Sequence, residues 1–317
     1  MNAPHLELPP LADLPWQQRL LRRVMRGSLS VLFRQVIRPP LPIRWQRAWL
    51  GVLTRSGMVP KGVAIETVAL NGVPCERLSA NPTAQHALLY VHGGAFCIGS
   101  PRTHRSITAT LAKRSGAVVY AVDYRLTPEH AYPAGLDDVV NAYRGLLAAG
   151  FAPERIALAG DSAGGNLILA CVLRLLASGE PVPAALIPLS PLTDASRSQL
   201  HTPPAGDPLL NHAWVAQAST LYCTEAQLRD PLVSPVYASV EQLKAFPPVL
   251  IQVGEDEILR NDSLRMHAAL ENAGVPVVLE RYPGYWHVFQ AQVGLLQAAD
   301  VAMARMVAFL QRHWHDA

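Results

Sequence analysis

The sequence predicts an α/β fold, a mostly parallel sheet with helices on both faces and a helical cap, and three observations predict it. Short apolar runs alternate with segments of helical length from residue 86 onward, the rhythm of strands joined by crossover helices. "RIALAG-DSAGG-NLILACVLRLL" (155–176) reads as strand, tight turn and helix. Between 191 and 246 that rhythm stops for roughly 55 proline-rich and polar residues, too long for a plain loop.

Residues 14–37, "LPWQQRLLRRVMRGSLSVLFRQVI", place Leu20, Leu21, Val24, Met25, Leu32 and Phe33 at helical spacing with Arg19, Arg22, Arg23 and Arg26 between them, so one or two amphipathic helices are expected. The prolines of "RPPLPIRW" end them. "VAIETVAL-NG-VPCERLSA" holds two alternating runs joined by Asn71-Gly72, a strong hairpin signal because both turn residues accept a positive φ. Strands follow at 86–92, 117–123, 155–160, 184–190, 247–254 and 276–282, with helices at 103–115, 133–149, 163–178, 261–273 and near 293–312. The excursion contains a helical stretch, "PLLNHAWVAQASTLY". The organisation is therefore an N-terminal helical cap segment (1–50), a first part of the core (51–190), a cap insertion with loops (191–246) and a second part of the core (247–317).

The 317 residues, 50% of them hydrophobic, suffice for one large core. The net charge of +3 excludes a strongly basic nucleic-acid binder, although residues 1–50 carry eight arginines against Glu7 and Asp13. The opening "MNAPHLELPP" has no basic-then-apolar pattern, and no run approaches the roughly 18 apolar residues of a spanning helix, so the expected location is cytoplasmic. Cys75, Cys97, Cys171 and Cys223 are scattered without metal-like spacing and are expected as reduced thiols. No metal or cofactor is expected.

Gly160-x-Ser162-x-Gly164 lies where strand passes into helix. Small neighbours there let the two elements approach and let a serine hydroxyl project from the sheet edge as a nucleophile. The helix that follows directs the positive end of its dipole to the same place. Upstream, "LLYVHGGAF" ends a strand in His92-Gly93-Gly94-Ala95; the amides of Gly93 and Gly94, with that of Ala163, are candidate oxyanion donors. His92 is assigned a structural role. Downstream, "PPVLIQVGEDEIL" ends a strand in Glu255-Asp256-Glu257, where an acid is wanted; Asp256 is the choice, with Glu255 and Glu257 as fallbacks. His287, in "RYPGYWHVFQ" between the last strand and last helix, is the candidate base. Arg125 and Glu129 are read as an ion-pair network fixing the loop beneath the oxyanion strand, and Asp230 as a loop anchor.

Five segments in order, "HGGAF", "DYRLTPEHAYPA", "GDSAGGN", "DPLVSP" and "GYWHVFQ", make the chain from about Leu88 onward resemble the bacterial hormone-sensitive-lipase family of α/β-hydrolase carboxylesterases. The resemblance implies an α/β-hydrolase fold with an eight-stranded, mostly parallel sheet, a cap from the N-terminus and a later insertion, and Ser162, His287 and Asp256 as nucleophile, base and acid. It implies Gly93, Gly94 and Ala163 as backbone donors. Two departures stand out. Ala95 replaces the third glycine of the family's H-G-G-G, where its methyl is expected to narrow the pocket, and Asp256-Glu257-Ile258 replaces D-P-L.

The expected function is hydrolysis of short- to medium-chain carboxylic esters through an acyl-enzyme, with amide or carbamate hydrolysis and a non-catalytic receptor as alternatives. Trp45, Trp49, Trp214 and Leu221 are read as apolar cap residues that favour a hydrophobic substrate group. The partner is a small-molecule ester. Nucleic acid is excluded, membrane association is not expected, and the last strand, at an open edge, offers a route to a homodimer.

Overall fold

The computed structural model describes residues 11–37, 41–54 and 59–314. The opening "MNAPHLELPP", the prolines at 39 and 40 and the last residues, with His315, lie outside them.

Alternation fixes the sheet. In β3 (Ala87–Val91) every side chain is buried, Leu89 and Val91 on one face, Leu88 and Tyr90 on the other. A strand covered on both sides belongs in the interior of a parallel sheet. The hairpin of β1 (Ala64–Leu70) and β2 (Val73–Ser79) turns at Asn71 and Gly72, with φ of 47° and 83°, the pair of positive values that the Asn-Gly dipeptide announces. With β4 (Val118–Val122), β5 (Ile156–Asp161), β6 (Ala185–Leu189), β7 (Val249–Gly254) and β8 (Val277–Tyr282), these make one eight-stranded sheet in the order β1-β2-β4-β3-β5-β6-β7-β8. Only β2 runs antiparallel to its neighbours.

The N-terminal pattern forms α1 (Trp16–Val31), continued by a π-helical turn at Leu32–Val36. Next comes α2 (Ile43–Leu53), a helix the periodicity does not announce, with Pro42 just before its first turn. In the core, α3 (Arg105–Ser115) packs on one face of the sheet, where the last helix joins it, and α4 (Ala134–Ala148) and α5 (Ala163–Ala177) pack on the other. The excursion holds α6 (His212–Tyr222), begun by Asn211, whose side chain accepts the Trp214 amide at 2.9 Å. A one-turn helix, α7 (Val240–Leu243), precedes β7; α8 (Arg260–Asn272) lies between β7 and β8, and α9 (Gln297–His313) closes the chain.

The two cap pieces meet at one buried polar contact. Trp214 donates from Nε1 to Oε1 of Gln46 at 3.2 Å, and Gln46, wholly buried, donates in turn to the Leu41 carbonyl at 2.7 Å. Arg22 and Arg26 fasten α1 below: Arg22 reaches the Gly284 carbonyl at 2.7 Å, while Arg26 bonds the carbonyls of Ala205 and Gly206 and the carboxylate of Asp256. Among the described residues no helix is long and apolar enough to cross a membrane, and all four cysteines are free.

Candidate active site

Ser162 caps α5 from the end of β5 with φ 53° and ψ −116°, a strained backbone for a residue with a side chain. The strain is held by close packing. A methyl group built on Gly164 would lie 1.9 Å from the Val91 carbonyl oxygen, so only glycine lets α5 start this near β3. The Ser162 amide is anchored to the Leu189 carbonyl at 2.8 Å. Ser162 lines a cavity of about 280 Å³ together with Gly93, Gly94 and His287.

The cavity is lined by Leu29 of α1, Phe33 of the π turn, Leu50 and Leu53 of α2, and Leu210 and Trp214 of the insertion. Residues of the N-terminal helices and of the 191–246 excursion therefore line the same space. Trp45 and Trp49 do not: they lie on the outward side of α2, about half exposed, and Leu221 is not part of the wall either. Ala95 is a second correction. It is buried at φ 55°, inside the turn that the Cys97 and Ile98 amides close on the Gly94 carbonyl. Its methyl is absent from the cavity wall, so it does not narrow the pocket.

The acid is where sequence and structure part. Asp256 faces the cap, paired with Arg26 at 3.0 Å, and does not touch His287. Glu255 is turned to Arg260 and Arg281. Glu257, wholly buried, sets Oε1 3.5 Å from Nδ1 of His287, and its Oε2 accepts the Ser190 hydroxyl at 2.7 Å and the Gly254 amide at 3.2 Å. The physical reason is the turn after β7: of three successive carboxylates, the one directly before Ile258 and Leu259 is drawn under the sheet edge as those apolar residues bury. That adjacency in "GEDEIL" was the available signal. Ser190, which bonds Glu257 and lies 3.4 Å from the Val288 amide, and Asp207, whose carboxylate takes the Ile258, Leu209 and Leu210 amides, carried no such signal.

Burial presses on His287 towards the neutral form, but the Glu257 hydrogen bond and charge, with Asp207 and Asp161 behind them, outweigh it and hold the imidazole above its ordinary value. His92 is different. Stacked on Tyr124 with ring centroids 4.4 Å apart and bonded through Nδ1 to the Gly93 carbonyl at 2.8 Å, it is pushed by burial and by His104 down to about 3, and so stays neutral. It braces the loop that carries Gly93 and Gly94. The amides of Gly93 and Gly94 find no acceptor among the described residues, and that of Ala163, the first in α5, has none within its helix.

Arg125 and Glu129 do not pair with each other. Arg125 forks onto Asp138 of α4, and Glu129 receives the guanidinium of Arg47 from α2. Arg47 also bonds the carbonyls of Cys97 and Thr127, each at 2.7 Å, so α2 is tied to the loop that follows Gly94. Asp230 takes the Leu232 amide at 2.9 Å, which makes it a loop anchor. Among the described residues no group of three or more histidine, cysteine or acidic side chains is placed to hold a metal.

A family model described as the α/β hydrolase fold matches residues 88–291. The crystal structure of an esterase from the bacterial hormone-sensitive lipase family superimposes with a TM-score of 0.86 at 34% identity, covering 96% of this chain and all of that one. The chain belongs to this family of α/β hydrolases. A hormone-sensitive lipase from a metagenome library is similarly close, with a TM-score of 0.88, 35% identity and coverage of 93% and 98%. An acetyl-hydrolase of Streptomyces hygroscopicus is 35% identical over 295 residues, 87% of this chain and 95% of its own.

Proposed function

We propose that this carboxylic ester hydrolase of the hormone-sensitive lipase family works through Ser162, His287 and Glu257 and acts on short- to medium-chain esters. The observation that carries the reading is the opening of Ser162 and His287 into one cavity, with the buried Glu257 carboxylate on the far side of the imidazole. His287 takes the Ser162 proton as the oxygen attacks the ester carbonyl; Glu257 fixes the imidazole's tautomer and stabilises its cation. The oxyanion meets the amides of Gly93, Gly94 and Ala163. The alcohol leaves with the proton from His287, and water then cleaves the acyl-enzyme by the same route.

The apolar roof supports an alkyl or aryl group on the substrate, and a volume of about 280 Å³ supports a short chain over a long one. Similarity to an acetyl-hydrolase points the same way. The test is hydrolysis of p-nitrophenyl esters from acetyl through butanoyl and octanoyl to dodecanoyl by the wild type and Ser162→Ala. Activity is expected to peak at the short end and to fall by about 10⁶ in kcat without the hydroxyl. Retained activity in Ser162→Ala defeats the nucleophile, and a peak at dodecanoyl defeats the chain-length reading.

A further inference from the structure

Beside the nucleophile lies a second buried charged group that the triad leaves unused. Asp161, the residue before Ser162, is 2% exposed. Its Oδ1 accepts the Tyr90 hydroxyl at 2.6 Å, and its Oδ2 lies 3.3 Å from Nε2 of His104. The carboxylate is pressed against the oxyanion loop: a methyl built on Gly93 would come 2.1 Å from Oδ2. His104 and Asp161 both line the cavity that holds Ser162. The imidazole is set from its other side by the Ser100 carbonyl, 3.2 Å from Nδ1, and by the Thr103 hydroxyl at 2.8 Å. The titratable groups around it are Asp161, His92, stacked at 5.5 Å between centroids, and Tyr90 at 6.4 Å. Arg105, next in the chain, is turned away to Glu76.

An unpaired carboxylate under Gly93 would oppose the negative charge that develops on the substrate oxygen, in a site where water screens little. We propose that His104 is a positioning residue for hydrolysis at Ser162: it holds the Asp161 carboxylate against Gly93 and balances its charge, so that the oxyanion forms over a neutral floor. Burial disfavours its cation, yet Asp161 outweighs burial and raises its pKa, which favours the charged form this task needs. The same pair holds Asp161 below the usual carboxylate range against burial. The proposal rests on the Ser162 reading.

The test compares wild type, His104→Gln, Asp161→Asn and the double variant on p-nitrophenyl acetate, with inhibition by phenylboronic acid, whose serine adduct is a tetrahedral anion. His104→Gln keeps a hydrogen-bonding side chain without the charge. Its kcat is expected to fall roughly 10- to 100-fold, below the loss for removing an oxyanion donor, with KM within about 3-fold. Its boronate inhibition constant should rise in step, because only the tetrahedral state feels the lost balance. Adding Asp161→Asn removes the uncompensated charge and should restore most of both. An unchanged kcat in His104→Gln overturns the proposal, as does a kcat loss without boronate weakening or a folded double variant no better than the single. If His104→Gln does not fold, the double variant decides: folded and within about 10-fold of wild type sustains the proposal, folded and inactive refutes it. Absence of Ser162-dependent hydrolysis in the wild type would defeat the underlying reading instead.

Discussion

Oε1 of Glu257 stands 3.5 Å from Nδ1 of His287, and its partner oxygen is held by Ser190 and the Gly254 amide. Both oxygens of that carboxylate are engaged, which holds it beside the imidazole. Glu257→Gln is expected to lower kcat by about 10⁴, as when a triad acid is replaced by its amide. Asp256→Asn removes the partly buried pair with Arg26, and kcat should change less than about 3-fold, with a stability loss of about 1–3 kcal/mol. Parallel kinetics and thermal unfolding of the two variants check this. A large kcat loss in Asp256→Asn with Glu257→Gln unaffected would return the acid to Asp256.

The pH dependence follows from His287. As the proposed base it acts in its neutral form, and its pKa is raised, with burial opposing and Glu257 prevailing. The acid limb of kcat/KM should therefore have its midpoint above the ordinary histidine value of about 6.5. For folding the sign is opposite: the imidazolium's contribution is fully present below the unfolded pKa and is lost as pH rises through the folded one. A kcat/KM profile with its midpoint below 6.5 contradicts the assignment.

Arg47 ties the cap to the oxyanion loop mainly through main-chain carbonyls. Glu129 is more than half exposed, so Glu129→Gln should alter stability by less than about 1 kcal/mol. Arg47→Ala leaves the carbonyls of Cys97 and Thr127 without their charged donor and should be destabilising by about 1–3 kcal/mol, with kcat falling as the loop loosens. Urea unfolding of both variants separates the contributions.

Two glycines make a matched pair. Gly164→Ala places a methyl 1.9 Å from a backbone oxygen, and loss of soluble folded protein, or destabilisation of about 3 kcal/mol or more, is expected. Gly27, inside α1, has nothing within 4 Å of such a methyl. There the substitution should stabilise by about 0.5–1 kcal/mol, read as a raised Tm.

The sheet was legible because its central strands are short and apolar on both faces, and the helices between them have ordinary lengths. The Asn71-Gly72 hairpin was legible from its own backbone demand. Ser162 and His287 stood out by their places beside strand ends. What stayed hidden depends on partners distant in the chain. Arg125 and Glu129 lie four residues apart, yet they pair with Asp138 and Arg47 on separate helices. The tryptophans of α2 share its length with Leu50, which lines the cavity, and only docking decides which side faces inward. Three adjacent carboxylates likewise point three ways.

The fastening of α1 separates what must stay from what is free to change. Arg22 and Arg26 grip the carbonyls of Gly284, Ala205 and Gly206, groups that every amino acid supplies. With most of these arginine contacts on the main chain, and only that of Arg26 with Asp256 on a side chain, Phe33 and its neighbours above the serine can be exchanged without unpicking the joint. The roof is thus a replaceable cassette over a fixed reaction centre, and a new substrate range is to be sought by recasting its inner side chains with the two arginines left in place.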